Sequence, residues 1–492
     1  MEHPLRLDEL SPGEGPRIIH DAPAVAQSGT TTVLPALPDL PASDVTFLKP
    51  SDPHYKDYLP ASNARKQLSP ALRAVCNSEH GVAAIVDWVR SNNLDFAVRC
   101  GGHSYEGFSQ STDVVIDLRG LKNIAIDKTA GTVTVGAGVS LYDIYQALAA
   151  KGLAVQAGSC PTVGISGHLT GGGHGLLARS HGMTCDSLQE VRIVDAQSRV
   201  FTANAASEPD LYWACRGGGG GSFGIATQFK LGVFAFPSAT AVVFGVTWTL
   251  SQAKAASLFA AWQAWAPNAP SNITSIMRVG PNGGGTIMMR CIGQSVGSET
   301  ELRNQLKPLI AMDAPSRPLT VQSLSFIKAV DHFTGGTDYQ SVYMKAKSDY
   351  VTTPLDSAAI SDMMAATASV PVGGIVLLCD SYGGKIADVA GDATAFVHRA
   401  GTQYCIQYYS EWLRAADTPA HLANVANIHA AMRPHMPGYS YVNYCDLDLP
   451  DYATAYWGGN LPRLMAVKRQ YDPQNLFRHA QSVPLPAAPA QV

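Results

Sequence analysis

The chain of 492 residues has no run of 18 or more apolar residues, although 46% of it is hydrophobic. That excludes a transmembrane helix of ordinary length. Charge is sparse: 15% of residues are Asp, Glu, Lys or Arg, and the net charge is −4. With no global positive field, neither nucleic acid nor an anionic membrane is an expected partner. The nine cysteines, at 76, 100, 160, 185, 215, 291, 379, 405 and 445, form no CxxC pair and no zinc spacing. No metal site is predicted, and the default for each cysteine is a reduced, buried thiol. There is no internal repeat. The opening MEHPLRLDELSPGEGP has acids and prolines where a secretory signal needs a basic start and an apolar run. If that start is native, a cytoplasmic protein is predicted.

Glycine (45) and proline (31) are plentiful. The mix fits a compact, loop-rich enzyme rather than a disordered chain, and the length suggests two or three domains. Residues 1–55 read as an extension poor in periodicity. The spacing predicts a helix over 82–93 ending in Asn, then a strand over 95–100. Short strands follow over 114–121, 124–127 and 131–138, and a helix over 141–152 closed by Gly. Residues 190–203 read as a hairpin. Strands over 241–250, 284–293 and 373–384 alternate with helical stretches such as 251–266, and the tail carries a helix stopped by Asp-Pro. The expected class is α+β, with units at 56–238, 239–435 and 436–492 after the extension.

Three glycine-rich stretches carry the chemistry. RCGGHSYEG (99–107) runs from a strand into two glycines and a histidine. Paired glycines there bring backbone N–H groups close to a ligand. SCPTVGISGHLTGGGHG (159–175) is a nucleotide loop or a plain glycine-rich turn. It fits neither a P-loop, which needs Gly-Lys-Ser/Thr, nor the Rossmann spacing. DLYWACRGGGGGSFGIAT (210–227) holds five consecutive glycines, which suit backbone lying against something large and planar or charged.

In this order and spacing, the three stretches resemble the berberine-bridge-enzyme-like family of FAD-linked oxidases, flavoproteins of the vanillyl-alcohol-oxidase type. The likeness covers roughly 70–240, and again 437–485 through YVNYCDLDL, YWGGNLPRLMAVKRQYDPQNLF and QSVP. It implies an FAD-binding domain of two subdomains and an α/β substrate domain with one large antiparallel sheet over the flavin ring. A C-terminal segment returns to complete the FAD domain. The family's flavin-linked histidine, bonded to the 8α-methyl, falls on His103, and its cysteine, bonded to flavin C6, falls on Cys160. The resemblance therefore implies bicovalent FAD, a fixed ring and an open groove. It also implies cofactor contacts at Gly101, Gly102, Ser104, Gly164, Gly167, Gly172, Gly173, Gly224, Ile225, Asn443 and Tyr444. His168 would hold the diphosphate or pack beside it. Val163 matches the position that gates oxygen, and a small branched residue there is the pattern of oxidases.

A carbinol carbon gives up hydride more easily if its hydroxyl proton leaves too, which needs a base in reach. Tyr444 matches the family's active-site tyrosine, and Asp380 sits where carbohydrate oxidases of the family carry an acidic partner. An ordinary tyrosine titrates near pH 10 and needs help to act near neutrality. Asp380 alternatively caps the YGG turn after it. Gln407 falls where some alkaloid-oxidising members carry a glutamate; an amide binds a hydroxyl but is no base. Cys405 would share its face on a strand and replaces a lysine of plant alcohol-oxidising members. Tyr105 matches a site tyrosine or stacks in a surface turn. His174 replaces the tyrosine of GGGYG, changing polarity or filling its space. Tyr441 and Tyr409 are wall residues or ordinary strand aromatics.

Together these imply an oxidase of carbohydrate or other alcohols that passes electrons to O₂ and gives H₂O₂. The alternative is a tailoring oxidase for a polyketide, alkaloid or glycoside. A flavin-loaded binding protein without turnover is the reading outside enzymes. The expected partners are a small substrate and molecular oxygen, and the expected state is a monomer or homodimer.

Overall fold

The computed structural model describes residues 33–236, 240–334 and 341–486. Most of the expected extension, residues 1–32, and the expected boundary at 238 lie outside them. Strands β1 (Val45–Leu48), β2 (Leu72–Cys76), β3 (Phe96–Arg99) and β4 (Val114–Asp117) form a sheet in the order β1-β2-β4-β3. Both β2 and β3 run parallel to β4. Parallel neighbours need a long crossover, here the helix Glu79–Ser91. Its start is set by Ser78, whose side chain accepts the Gly81 N–H, and Val82, Ile85, Val86 and Val89 bury one face at helical spacing. It ends, as its sequence predicts, at Asn92, and Asn93 takes φ 50°. β4 stops four residues before the predicted strand does, because the Asp117 carboxylate accepts the Arg119 N–H and turns the chain.

The chain continues through β5 (Ile124–Asp127), β6 (Thr132–Gly136), β7 (Leu153–Ala154), β8 (Leu188–Val194), β9 (Val200–Asn204), β10 (Ile225–Gly232) and β11 (Phe234–Ala235). Five of these form an antiparallel sheet, β5-β6-β10-β8-β9, with β8 and β9 as the predicted hairpin; β7 and β11 pair separately. The helix predicted over 141–152 runs Leu141–Ala149, and Gly152 (φ +70°) turns the chain after it.

Seven strands, β12 (Ala241–Ser251), β13 (Ile273–Gly283), β14 (Thr286–Ser295), β15 (Arg317–Leu324), β16 (Tyr343–Val351), β17 (Val376–Ser381) and β18 (Tyr404–Trp412), form one antiparallel sheet. Their order is β15-β12-β14-β13-β17-β18-β16. Strand side chains alternate between faces. Trp248, Met277, Cys379, Ile406 and Tyr408 enter a core under the helices Gln252–Trp265, Ser357–Ala368 and Thr418–Met432. The intervening residues Arg278, Asp380, Gln407 and Tyr409 therefore point the other way. The tail returns to the first part of the chain: Tyr456, Trp457, Leu464, Tyr471 and Phe477 share a core with Ile85, Ile116 and Phe229. The fold is the expected α+β class. Among the described residues, no helix is long and apolar enough to cross a membrane.

Candidate active site

β3 delivers the first glycine-rich loop at the carboxyl end of a parallel strand, the usual place for a ligand in such sheets. The second loop lies against it. A Cβ on Gly101 would overlap the Gly164 backbone, and one on Gly164 would overlap the Cys100 sulfur. This contact fixes His103 and Cys160 on two loops that meet at their glycines. His103 Nε2 lies 2.9 Å from Thr162 Oγ1. Burial pushes its imidazole down to about 4, so the ring is neutral at pH 7. Cys160 alone of the nine cysteines is exposed.

These loops and the open face of the seven-stranded sheet enclose a cavity of about 660 Å³. His103, Cys160, Tyr105, Asp380, Gln407 and Tyr444 all line it. So do Gly101, Gly102, Ser104, Val163, Gly164 and Gly167, and on its other walls His168, Gly224, Ile225 and Asn443. Gly172 and Gly173 do not. Gly172 packs on Phe396, and Gly173 against Thr184 and His168, behind the wall. His168 Nε2 accepts the Gly158 N–H at 3.0 Å and lies 3.1 Å from Thr184 Oγ1, so it ties two loops together.

Tyr444 is carried in by the tail. Asn443 Nδ2 donates to the His168 carbonyl (3.0 Å) and to Tyr441 Oη (3.1 Å), and Tyr441 Oη accepts the Gly173 N–H at 2.9 Å. These bonds lock residues 441–444 onto the second loop. The Tyr444 hydroxyl then donates to Asp380 Oδ2 at 3.3 Å. Asp380 thus lies in the cavity on β17 rather than capping the turn after it. Burial raises its carboxyl to about 7, against the pull of the Tyr444 hydrogen bond and Arg278. The phenol of Tyr444 is pushed well above its usual range by burial and then by Asp380. Gln407 Nε2 donates to Tyr105 Oη at 2.9 Å, and the Tyr105 ring stacks on Tyr444 with centroids 5.8 Å apart and planes within 5°. Cys405 shares the face of Gln407, as alternation requires, but it packs among Tyr350, Tyr382 and Tyr441. His174 stacks on Tyr382 at 5.0 Å, burial holds it near 4, and its Nε2 is buried without a hydrogen bond.

Three groups escaped the sequence reading. Arg278 and Glu411 line the cavity on β13 and β18, and Glu411 accepts the Tyr409 hydroxyl at 2.7 Å. Two-residue alternation from Gln407 through Tyr409 to Glu411 was the available signal. The third is a buried ion cluster. Lys345 Nζ donates to Glu106 Oε1 (2.5 Å) and Asp446 Oδ1 (2.6 Å), and Lys347 Nζ to Asp446 Oδ2 (2.7 Å). No pattern in sequence pairs residues this far apart. The cluster joins the residue after Tyr105 and the second residue after Tyr444 to one edge strand. The Lys345→Met variant leaves Glu106 to Arg65 and Lys66, and Asp446 to Lys347. It loses about 1–3 kcal/mol of stability, read as a lower denaturant midpoint.

The donors fit a flavin dinucleotide. A Cβ at Gly167 would meet nothing within 4 Å, and so would stand in the open cavity. The cradle is broad because glycine leaves it so. At one end stand a neutral imidazole and the one exposed thiol, the groups able to bond a flavin ring. Glycine-lined loops facing an antiparallel sheet that carries a tyrosine–carboxylate pair define an FAD-linked oxidoreductase.

Comparison with known proteins agrees. The model of the FAD binding domain matches residues 70–204, and that described as berberine and berberine like matches 440–484. The FAD-linked oxidoreductase YgaK of Bacillus subtilis is 32% identical over 88% of this chain and 95% of its own. Berberine bridge enzyme-like 17 of Arabidopsis thaliana is 30% identical over 91% and 92%. The structure of Physcomitrella patens BBE-like 1 superimposes with a TM-score of 0.82 at 31% identity, over 91% of this chain and 98% of that one. The chain belongs to the berberine-bridge-enzyme-like family of FAD-linked oxidoreductases.

Proposed function

We propose that the protein is an alcohol oxidase, most simply of a sugar hydroxyl, with FAD bonded through His103 and Cys160 and O₂ as electron acceptor. The observation that carries this reading is the Tyr444 hydroxyl directed at Asp380 within the cavity that His103 and Cys160 line. FAD, when bound, supplies a hydride acceptor and a route for two electrons to O₂. The chain's own residues handle the proton. A phenol held far above neutrality cannot stand as a phenolate. Tyr444 works instead as a relay: its oxygen takes the substrate O–H proton as its own proton passes to Asp380 Oδ2. A carboxyl near 7 is half ionised at neutral pH and is matched to that transfer.

Gln407 orients Tyr105 by donating to its oxygen, which leaves the Tyr105 hydrogen for the substrate hydroxyl. The Tyr105 and Tyr444 rings stack within the cavity, with Gln407 at one hydroxyl and Asp380 at the other. The substrate carbon loses a hydride and its oxygen a proton, giving a carbonyl. With O₂ these become H₂O₂. At an anomeric carbon the product is a lactone.

A second reading, a tailoring oxidase for a larger apolar alcohol, rests on Ile276, Leu378 and Met344, apolar residues that also line the cavity. A peroxide-coupled oxygen assay on the purified yellow protein separates the two. Mono- and oligosaccharides are compared with aromatic alcohols and polycyclic glycosides. Peroxide from sugars is the expected result. Silence with every sugar, alongside a flavin that dithionite reduces and air reoxidises, overturns the sugar reading and leaves the second.

A further inference from the structure

Tyr105 and Tyr444 reach the cavity on segments far apart in sequence, and both segments are gripped by one edge strand, β16. On the first segment, Asn63 Nδ2 donates to the Tyr105 carbonyl (2.6 Å) and to the Met344 carbonyl (3.1 Å). Its Oδ1 accepts the Met344 N–H (3.2 Å) and the Arg65 N–H (3.1 Å). The amide is thereby fully used, and it fixes the Tyr105 backbone against the strand. Arg65 Nε donates to the same Met344 carbonyl at 3.2 Å, and its Nη2 to Glu106 Oε2 at 3.2 Å.

The tail is held further along β16. The Tyr350 N–H donates to the Tyr439 carbonyl (2.9 Å), the Ser440 hydroxyl to the Ser348 carbonyl (2.7 Å), and the Tyr441 N–H to Ser348 Oγ (3.0 Å). Asp446 is then caught by Lys345 and Lys347. From Tyr441 to Asp446 the tail uses more residues than the strand does from Ser348 to Lys345. It therefore arches, in the turn Val442–Tyr444, and the arch carries Tyr444 into the cavity.

Neutralising the acids does not need Lys345. Glu106 also faces Arg65 (3.2 Å) and Lys66 (2.8 Å), and Asp446 also faces Lys347 (2.7 Å). What Lys345 adds is a link: among the described residues it alone reaches both acids, at 2.5 and 2.6 Å. Glu106, Lys345, Lys347 and Asp446 are all nearly buried, yet none of them lines the cavity. Burying such a net costs desolvation that apolar packing avoids, so stability is a poor reason for it. Direction is a better one, because an ammonium donates along three set directions and each carboxylate meets it at one oxygen.

We propose that Lys345 is a positioning residue for the reaction: by bridging Glu106 and Asp446 it sets Tyr105 and Tyr444 relative to each other, and so places both hydroxyls at the substrate. This rests on the proton-relay reading above and adds to it a residue outside the cavity.

The test places fluorotyrosine at position 105 or 444 and records fluorine NMR of the flavin-loaded protein in the wild type, Lys345→Met, Glu106→Gln and Asp349→Asn. Asp349 is a control on the same strand: it is fully buried, faces His429 (3.3 Å) and Arg433 (3.5 Å), and touches neither tyrosine segment through its side chain. Lys345→Met shifts or splits both lines. Glu106→Gln, which keeps the shape of the cluster and serves where Lys345→Met does not fold, moves the Tyr105 line more than the Tyr444 line. Asp349→Asn moves neither. With the alcohol that yields most peroxide in the oxygen assay, Lys345→Met lowers kcat about ten- to a hundredfold and leaves KM little changed, the cost of a small misplacement of reacting groups. The same change made in Tyr444→Phe costs far less, because the relay hydroxyl is already gone. Lines that stay in place in Lys345→Met and Glu106→Gln, or that move as much in Asp349→Asn, overturn the inference and leave the relay intact. So does an equal loss of kcat in both backgrounds. Moved lines together with full activity in Tyr444→Phe uphold the bridge and overturn the relay instead.

Discussion

Replacing Tyr444 with Phe lowers kcat/KM by about 10²–10⁴-fold, the ordinary worth of a positioned proton-transfer group. The ring and its stacking on Tyr105 survive, so the loss reports the hydroxyl alone. Asp380→Asn gives a loss of the same order, because the amide keeps the shape but cannot take the relayed proton. The two effects are not additive: the double variant is little worse than either single one, since both act in one transfer. Full activity in Tyr444→Phe would remove the relay from the mechanism.

The pH dependence has a definite sign. The Asp380 carboxyl must be ionised to accept the proton, and burial raises it to about 7. In the wild type kcat/KM therefore climbs about tenfold per pH unit on the acid side and levels off above pH 7. Asp380→Asn loses that limb. The same raised carboxyl also governs stability. The unfolded chain releases this proton near the ordinary 3.8, the folded protein near 7. The stability that the neutral carboxyl contributes is complete below 3.8 and is lost as pH rises through 7. Asp380→Asn, which cannot ionise, melts above the wild type at pH 8, and the gap closes as pH falls toward 4. A variant that is more heat-stable and nearly inactive is the pattern of a site whose chemistry needs a buried charge.

The second large effect concerns the cofactor. After acid precipitation, flavin colour stays in the pellet for the wild type and for His103→Ala and Cys160→Ala singly, and leaves entirely with the supernatant in the double variant. The double variant also becomes dependent on free FAD. Each tenfold increase adds about 1.4 kcal/mol to its apparent stability, while the wild type is indifferent. Colour released from the wild type would overturn covalent attachment. Colour released by one single variant would leave one bond, at the other residue.

Much of this protein was legible in its sequence because the information is local. A strand followed by Gly-Gly-His, a cysteine ahead of three glycine clusters, and a five-glycine run each constrain the backbone within a few residues of themselves. Their order and spacing carried the resemblance to the family, and through it the expectation of a flavin cradle. Helix limits such as Ser78 and Asn92 were local too. Gly172 and Gly173 show where local reading stops. They belong to a cradle motif by sequence, yet they pack behind the wall, because Phe396 and Thr184 arrive from elsewhere in the chain.

What the tertiary structure alone decided is long-range. Asp380 and Tyr444 meet across 64 residues, Gln407 and Tyr105 across 302, and Lys345 and Glu106 across 239. No periodicity links such positions. Strand register did the rest: it set Arg278 opposite Arg290 and in line with Gln407. In sequence these were two arginines on apolar strands, each with an ordinary prospect of a surface partner. Only the register of the folded sheet sets them opposite each other, on the face away from the helices. The sequence by itself carried the family motifs, and with them the expectation of FAD, because those motifs are short glycine-rich loops whose backbone shape is set within a few residues. The side chains that face one another across the cavity were decided by tertiary structure, because they are fixed by how distant strands align.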